Sequence, residues 1–205
     1  WPYSSGQPGQ WMSHQIDTVH WFSGINHPKS VVANGGIYMW KDGRKNWDTL
    51  TAVFDYSTPD NSNGFQVSFL SRQHNGDENP AELYYSNGGE LNLITNKVSP
   101  KGGLQKRHAE AMGMKENLLP EYNLADTSVK AVASANTGGD SLTSSHVRNW
   151  MECIRSRKQP NAPVEAGYNH SIACIMVTAA SRTGMKATFD AKTQEVMVGG
   201  KVFKY

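Results

Sequence analysis

Residues 9–24 carry the pattern that most constrains the fold, because their apolar side chains recur with the period of an α-helix. At 100° per residue one side of the predicted helix is apolar and the other is polar and aromatic. Gly24 is expected to end the helix in a left-handed conformation, since Pro28 prevents its continuation soon afterwards. The predicted buried face consists of Met12, Ile16, Val19 and Phe22.

The opposite face of this helix holds the candidate chemistry. His14 and Asp17 are three residues apart, so an imidazole and a carboxylate lie within reach of one ligand, and Trp21 follows on the same side. A neutral imidazole is the usual general base near neutral pH. The alternative is a histidine that only makes structural hydrogen bonds.

The same run resembles the start of the C-terminal domain of the Gfo/Idh/MocA oxidoreductases. That family carries G-G-G-x-L-x-D-x-G-x-H-x-x-D-x-x-x-W-x-x-G on this helix, and His14, Asp17, Trp21 and Gly24 match its second half. The resemblance implies that His14 is the catalytic residue that exchanges the proton of a substrate hydroxyl.

The first half of the motif departs from the family. Gln10 stands where the family has an aspartate, and Met12 stands where it has a glycine. Gln10 cannot titrate, so proton transfer would fall to His14 or to a lysine outside this chain. We assign substrate binding to Asp17, Gln10, Trp11 and Trp21.

After the first helix the apolar period changes from 3.6 to 2, which predicts strands joined by turns. The final third returns to helical spacing, with helices around residues 144–158 and 172–184 before two short closing strands. The turn residues at 61–64 and 136–139 break longer elements. Strands are predicted at residues 30–40, 49–56, 65–72, 82–85, 90–95, 186–189 and 196–202, and a short helix at 105–112.

These elements predict an α+β fold, in which a largely antiparallel, open-faced sheet of about six or more strands has helices packed on one face. The length of 205 residues is consistent with one domain, and the resemblance implies that residues 1–205 are a single C-terminal domain for substrate binding and oligomerisation. In the family the other face of the sheet meets a partner subunit, so the resemblance implies a homo-oligomer formed through the sheet.

The net charge of +2 and the pI near 8.5 give no electrostatic reason to expect nucleic acid or a membrane as partner. The chain starts at Trp1, so we expect a processed product or a fragment, whose cytoplasmic or periplasmic location the sequence leaves unknown. Cys153 and Cys174 are expected to be free thiols.

The chain has no G-x-G-x-x-G after a strand and no alternating βαβ pattern, so a dinucleotide site is not expected in it. In the family a preceding Rossmann domain binds NAD or NADP. The resemblance therefore implies that this fragment carries no cofactor and is inactive alone. The parent would be an NAD(P)-dependent oxidoreductase acting on a sugar, cyclitol or derivative.

Two other functions fit the residues. A metal-dependent hydrolase or lyase would use His14, Asp17 and His20, although helical drift places the two histidines about 120° apart. A non-catalytic sugar-binding or assembly module would use the aromatic side chains of Trp1, Tyr3, Trp11 and Trp21, and the neutral Gln10 favours it.

Overall fold

The structure is a computed structural model, and it describes residues 3–58, 63–76, 81–124 and 141–205. The predicted turn at 61–64 lies partly outside these ranges, and the break at 136–139 lies wholly outside them. The described helices are α1 (Ser13–Ser23), α2 (Lys106–Ala111), α3 (Ser141–Ser156) and α4 (Val164–Thr183). The described strands are β1 (Ser30–Gly36), β2 (Thr49–Asp55), β3 (Gln66–Arg72), β4 (Leu83–Ser86), β5 (Gly89–Asn92), β6 (Lys97–Ser99), β7 (Tyr122–Asn123), β8 (Ala187–Asp190), β9 (Glu195–Val198) and β10 (Lys201–Val202).

The predicted α+β class is confirmed, because the described strands pair antiparallel in open sheets and helices accompany them. The chain divides into two compact units, Trp1–Gly76 with Arg148–Tyr205, and Asp77–Val147. The described strands form two such sheets, one in each unit. The assignment of residues 1–205 to a single domain stays a prediction.

The first unit contains a six-stranded sheet in the order β10-β9-β8-β1-β2-β3. Alternation along β2 buries Leu50, Ala52 and Phe54 on one face, as the period of 2 predicts. Helix α4 packs on β1, β8 and β9, and α1 packs on α4. The core therefore lies between this sheet face and the two helices.

β1 ends at Gly36, four residues before the predicted end of the strand, because Asp48 captures the next backbone groups. Its buried carboxylate accepts hydrogen bonds from the backbone N–H groups of Tyr38, Met39 and Trp40 at 3.1, 2.9 and 3.0 Å. Burial alone would raise the pKa of the Asp48 carboxyl, but these bonds hold that pKa well below its usual range. A side chain thus replaces a neighbouring strand as hydrogen-bond partner here.

The second unit contains the four-stranded sheet β4-β5-β6-β7. The predicted hairpin is confirmed by the pairing of β4 with β5 around the turn at Asn87 and Gly88. β6 and β7 were not predicted, since they have only three and two residues and show no readable alternation.

α4 is longer than the apolar spacing predicts, because it begins directly after Pro163. α3 begins three residues before and ends two residues before the predicted range 144–158. Cys153 and Cys174 are both free thiols, as expected, with Cys174 buried. The apolar positions of α3 in the first unit, Trp150, Met151 and Ile154, are exposed. None of the described helices is long and apolar enough to cross a membrane.

Candidate functional site

The candidate site is built on α1, which continues without a break from a π-helical turn at Pro8–Met12. Pro8 is tolerated in this first turn because its missing N–H would have no helical partner there. Gly24 ends the helix at φ 69° and donates its N–H to the His20 carbonyl at 2.9 Å. The predicted glycine cap is confirmed, and a side chain with a Cβ would be strained in this conformation.

The predicted buried face is confirmed at three of its four positions: Met12 in the π-helical turn, and Ile16 and Val19 in α1. The prediction is wrong for Phe22, which is 47% exposed and lies beside the Trp21 ring with centroids 5.5 Å apart. His20 points inward instead, because it lies four residues after Ile16 and contacts Tyr56, the residue that follows β2.

The five predicted site residues, Gln10, Trp11, His14, Asp17 and Trp21, are all exposed. The spacing of three and four residues aligns His14, Asp17 and Trp21 along one stripe of α1. Gln10 and Trp11 belong to the preceding π-helical turn. The structure therefore presents an imidazole, a carboxylate and an indole on one open surface, and their roles stay predictions.

His170 of α4 is a member of this surface that the sequence analysis missed. Its Nδ1 lies 3.4 Å from Oδ1 of Asp17, and the two side chains keep 28% and 53% of their surfaces exposed. The two residues are 153 positions apart in sequence. Only the packing of α4 against α1 reveals the contact, so no local motif could have found it.

His20 lies on the inner side of the same helix. Its Nε2 is 2.9 Å from the hydroxyl of Tyr56, and its buried Nδ1 has no hydrogen-bond partner within the described chain. Burial lowers the pKa of His20 to about 4, although the nearby Asp17 carboxylate opposes the shift. Burial also raises the pKa of the Tyr56 hydroxyl. His20 is therefore a neutral core residue at pH 7.

The metal alternative required His14, Asp17 and His20 to share one ion. The structure places His14 in solvent and His20 in the core, so these two imidazoles do not converge. Within the described ranges, no group of three His, Cys, Asp or Glu side chains could hold a metal ion. Trp1, one of the aromatic residues of the sugar-binding alternative, lies outside the described residues, and Tyr3 is fully exposed.

The fold is similar to those of several solved oxidoreductase structures. The protein yvaA from Bacillus subtilis matches 90% of this chain and 51% of its own, with a TM-score of 0.54 and 16% identity. A Klebsiella pneumoniae protein matches 91% of this chain and 50% of its own, with a TM-score of 0.51 and 18% identity. Both proteins are described as oxidoreductases. This chain has the fold of about half of each.

The chain thus spans about half the length of these solved structures, and the matches agree at the level of fold with the resemblance seen in the sequence. The aldose-aldose oxidoreductase from Caulobacter crescentus aligns with 86% of this chain and 45% of its own at 14% identity, with a TM-score of only 0.49. No protein-family model matches the sequence, and no curated protein is similar to it.

Proposed function

We propose that this chain is the substrate-binding and dimerisation half of an NAD(P)-dependent oxidoreductase of the Gfo/Idh/MocA type. The observation that carries the proposal is the exposed stripe of His14, Asp17 and Trp21 on α1, within a fold that matches half of two oxidoreductase chains. The substrate we propose is a sugar, a cyclitol or a derivative, because a carboxylate, an imidazole and indole rings suit a ligand with hydroxyl groups and an apolar ring face.

His14 would be the catalytic residue. A neutral imidazole has one nitrogen with a free lone pair, which can accept the proton of a substrate hydroxyl. Asp17 would accept hydrogen bonds from other hydroxyls, and the indole rings of Trp11 and Trp21 would lie against the ring of the substrate. Gln10 would contribute a neutral amide that can bind but cannot take up a proton.

The residues of this chain do not fit a nicotinamide dinucleotide. The sequence has no G-x-G-x-x-G, and the described strands pair antiparallel, whereas a dinucleotide site needs a glycine-rich turn between a parallel strand and a helix. NAD or NADP would therefore be bound by a Rossmann half outside this chain. We propose that the 205 residues alone are inactive.

The exposed indoles support a partner half that covers this surface. Trp21 is 78% exposed and Trp11 is 59% exposed. Large apolar side chains grouped on a surface often mark an interaction site. We propose that the Rossmann half shields them and encloses the substrate.

The proposed dimer would form through the face of the six-stranded sheet that α1 and α4 leave uncovered. Val32 of β1 lies directly opposite Val53 of β2 on this face, and Leu70 of β3 lies opposite Thr51. Leu70 is 69% exposed. A second copy of the chain would bury these side chains, which favours a symmetric contact.

The experiment that tests the function begins by recovering the upstream coding sequence. We expect a glycine-rich βαβ fingerprint followed by a lysine that shares the proton transfer. The full-length parent would then be assayed for NAD(P)-dependent oxidation of sugars and cyclitols. A parent without a dinucleotide fingerprint would refute the proposal.

In an active parent, His14→Ala should lower kcat by roughly 10²-fold or more, because a positioned base typically contributes 10²–10⁴-fold. Asp17→Asn should lower kcat less than His14→Ala does, since Asp17 does not transfer the proton. Thr18→Ala is the matched control, because among the described residues the Thr18 hydroxyl donates only to the His14 carbonyl of its own helix. Near-normal turnover in His14→Ala, or an unfolded variant, would remove the catalytic assignment.

A second candidate is a sugar-binding module without catalysis, favoured by Gln10 in place of the family's aspartate. Such a parent would bind sugars without turnover with either cofactor. Calorimetric binding together with a null dehydrogenase assay would select this candidate.

A further inference from the structure

The surface of α1 carries a second imidazole, contributed by α4, next to Asp17. His170 lies with Nδ1 3.4 Å from Oδ1 of Asp17. Among the described residues, Nε2 of His170 has no hydrogen-bond partner. This atom is also not among the buried side-chain nitrogen and oxygen atoms that lack a partner. The ring is thus held at one nitrogen and open to solvent at the other.

The Asp17 carboxylate determines which nitrogen of His170 carries the proton. An ionised carboxylate only accepts hydrogen bonds, so the contact requires N–H at Nδ1. A neutral imidazole has one N–H, which leaves a lone pair on Nε2. Without Asp17 the ring would be free to adopt the other tautomer. The pair therefore presents an oriented hydrogen-bond acceptor on the candidate surface.

His14 and His170 both adjoin Asp17, the first by helical spacing and the second by direct contact. Residues three apart on a helix have Cβ atoms about 5–6 Å from each other. Two neighbouring hydroxyls of one polyol could therefore meet two separate imidazole nitrogens. A ligand with a single hydroxyl could use only one of them.

We propose that His170, oriented by Asp17, is a specificity-determining residue whose Nε2 accepts a hydrogen bond from a second hydroxyl of the substrate. The proposal rests on the proposed function, because it assigns the second contact of the same substrate. It selects polyhydroxylated ligands over simple alcohols. Asp17 then has a positioning role in addition to its own contacts.

The competing explanation is a contact that merely helps α1 to pack on α4. Exposed ion pairs contribute about 0–1 kcal/mol to stability, so loss of stability cannot distinguish the two explanations. The KM of the parent can distinguish them, since a contact that only packs the helices would leave KM unchanged. The tautomer of His170 tests a separate premise, that the Asp17 carboxylate holds the proton on Nδ1.

The first experiment measures this tautomer in the 205-residue chain by long-range ¹H–¹⁵N NMR of labelled histidine at pH 8.5. The signals of His170 are identified by their loss in His170→Gln. We expect N–H at Nδ1 in the unaltered chain and a shift towards N–H at Nε2 in Asp17→Ala. Thr18→Ala, on the next residue of α1, should leave the spectrum of His170 unchanged. N–H at Nε2 in the unaltered chain would overturn the proposal.

The second experiment compares steady-state kinetics of the full-length parent with its polyol substrate. His170→Ala should raise KM by roughly 3–10-fold, which corresponds to the loss of one hydrogen bond to the substrate, and should leave kcat within about twofold. The matched control is Ser171→Ala, because within the described part of the chain this exposed hydroxyl donates only to the Gly167 carbonyl of its own helix.

The two proposals fail in different ways. An unchanged KM in His170→Ala, in a parent that His14→Ala impairs, would overturn the role of His170 alone. An equal loss of kcat in His170→Ala and His14→Ala would also overturn it, because His170 would then act in proton transfer. A parent without dehydrogenase activity would remove the proposed function and the ligand contact, while the tautomer result would stand.

Discussion

Replacing His20 with phenylalanine should remove a specific part of the acid sensitivity of the fold. His20 is 92% shielded from solvent, since only 8% of its surface is exposed, and burial lowers its pKa from 6.5 to about 4. In the unfolded chain the same imidazole would titrate near 6.5. The unfolded state therefore binds the proton first as the pH falls.

The sign and size of the effect follow from this difference. The contribution of His20 to stability is intact above about pH 6.5 and is lost as the pH falls towards 4. At about 1.36 kcal/mol per pKa unit the full shift is worth roughly 3 kcal/mol, and solvent screening reduces this to about 2 kcal/mol. The charges of Asp17, His27 and His170 also act on His20, and their effects are smaller than that of burial.

The assay is urea denaturation of the wild-type chain and of His20→Phe between pH 7.5 and 4.5. At pH 7.5 the variant should be less stable by about 1 kcal/mol, because the bond to Tyr56 is lost. As the pH falls, the free energies of unfolding should converge and then cross, with a total relative change of about 2 kcal/mol.

Ile16→Val is the matched control from the same helix. It removes one buried methylene, so it should lower stability by about 1 kcal/mol at every pH. Parallel curves for the wild type and His20→Phe would refute the reasoning, because they would show that His20 titrates alike in the folded and unfolded states.

Three further predictions concern the glycines, the cofactor and the sheet. Gly35→Ala should destabilise the chain by about 1–3 kcal/mol in urea, because its Cβ would meet the Thr49 carbonyl and lie 2.8 Å from the Trp47 ring. Gly167→Ala, at a helical position with open space around it, should raise the free energy of unfolding slightly. The same change in this free energy for Gly35→Ala and Gly167→Ala would contradict the steric explanation. Calorimetric titration of the 205-residue chain with NAD(H) and NADP(H) should give no saturable heat, and micromolar binding would contradict the assignment of the cofactor to another half. Light scattering should detect a dimer that Leu70→Lys weakens, whereas a monomer at every concentration would count against the sheet interface.

The sequence predicts elements well where one local signal dominates. α1 has a clear 3.6-residue period and a glycine cap, so its end is predicted correctly, although the predicted start at residue 9 lies in the π-helical turn Pro8–Met12. β2 alternates cleanly, and its bounds agree with the prediction within one residue. The end of β1 could not be predicted, because it depends on the carboxylate of Asp48, twelve residues after Gly36, taking three backbone N–H groups. Such a partner leaves no periodic signal in the strand itself.

The candidate site, too, could be predicted only where the signal is local in sequence. The spacing on α1 correctly predicted that His14, Asp17 and Trp21 share an exposed surface. His170 was missed because its position depends on how α4 crosses α1, which is a property of tertiary packing. A motif within one helix therefore identifies only the part of a site that the helix itself contributes.

The three-residue spacing of His14, Asp17 and His20 explains how one helix can serve both the stability of the fold and the proposed proton transfer. Each step of three residues turns the helix by about 300°, so side chains drift by about 60° per step, and His20 lies about 120° from His14. Asp17 is between them in angle, which accounts for its exposed contact with His170 and its electrostatic effect on His20. His20 consequently contacts Tyr56 in the core, whereas His14 is exposed to solvent. Because the two imidazoles differ in surroundings, the stability of the fold should depend on His20, whereas turnover in the parent should depend on His14.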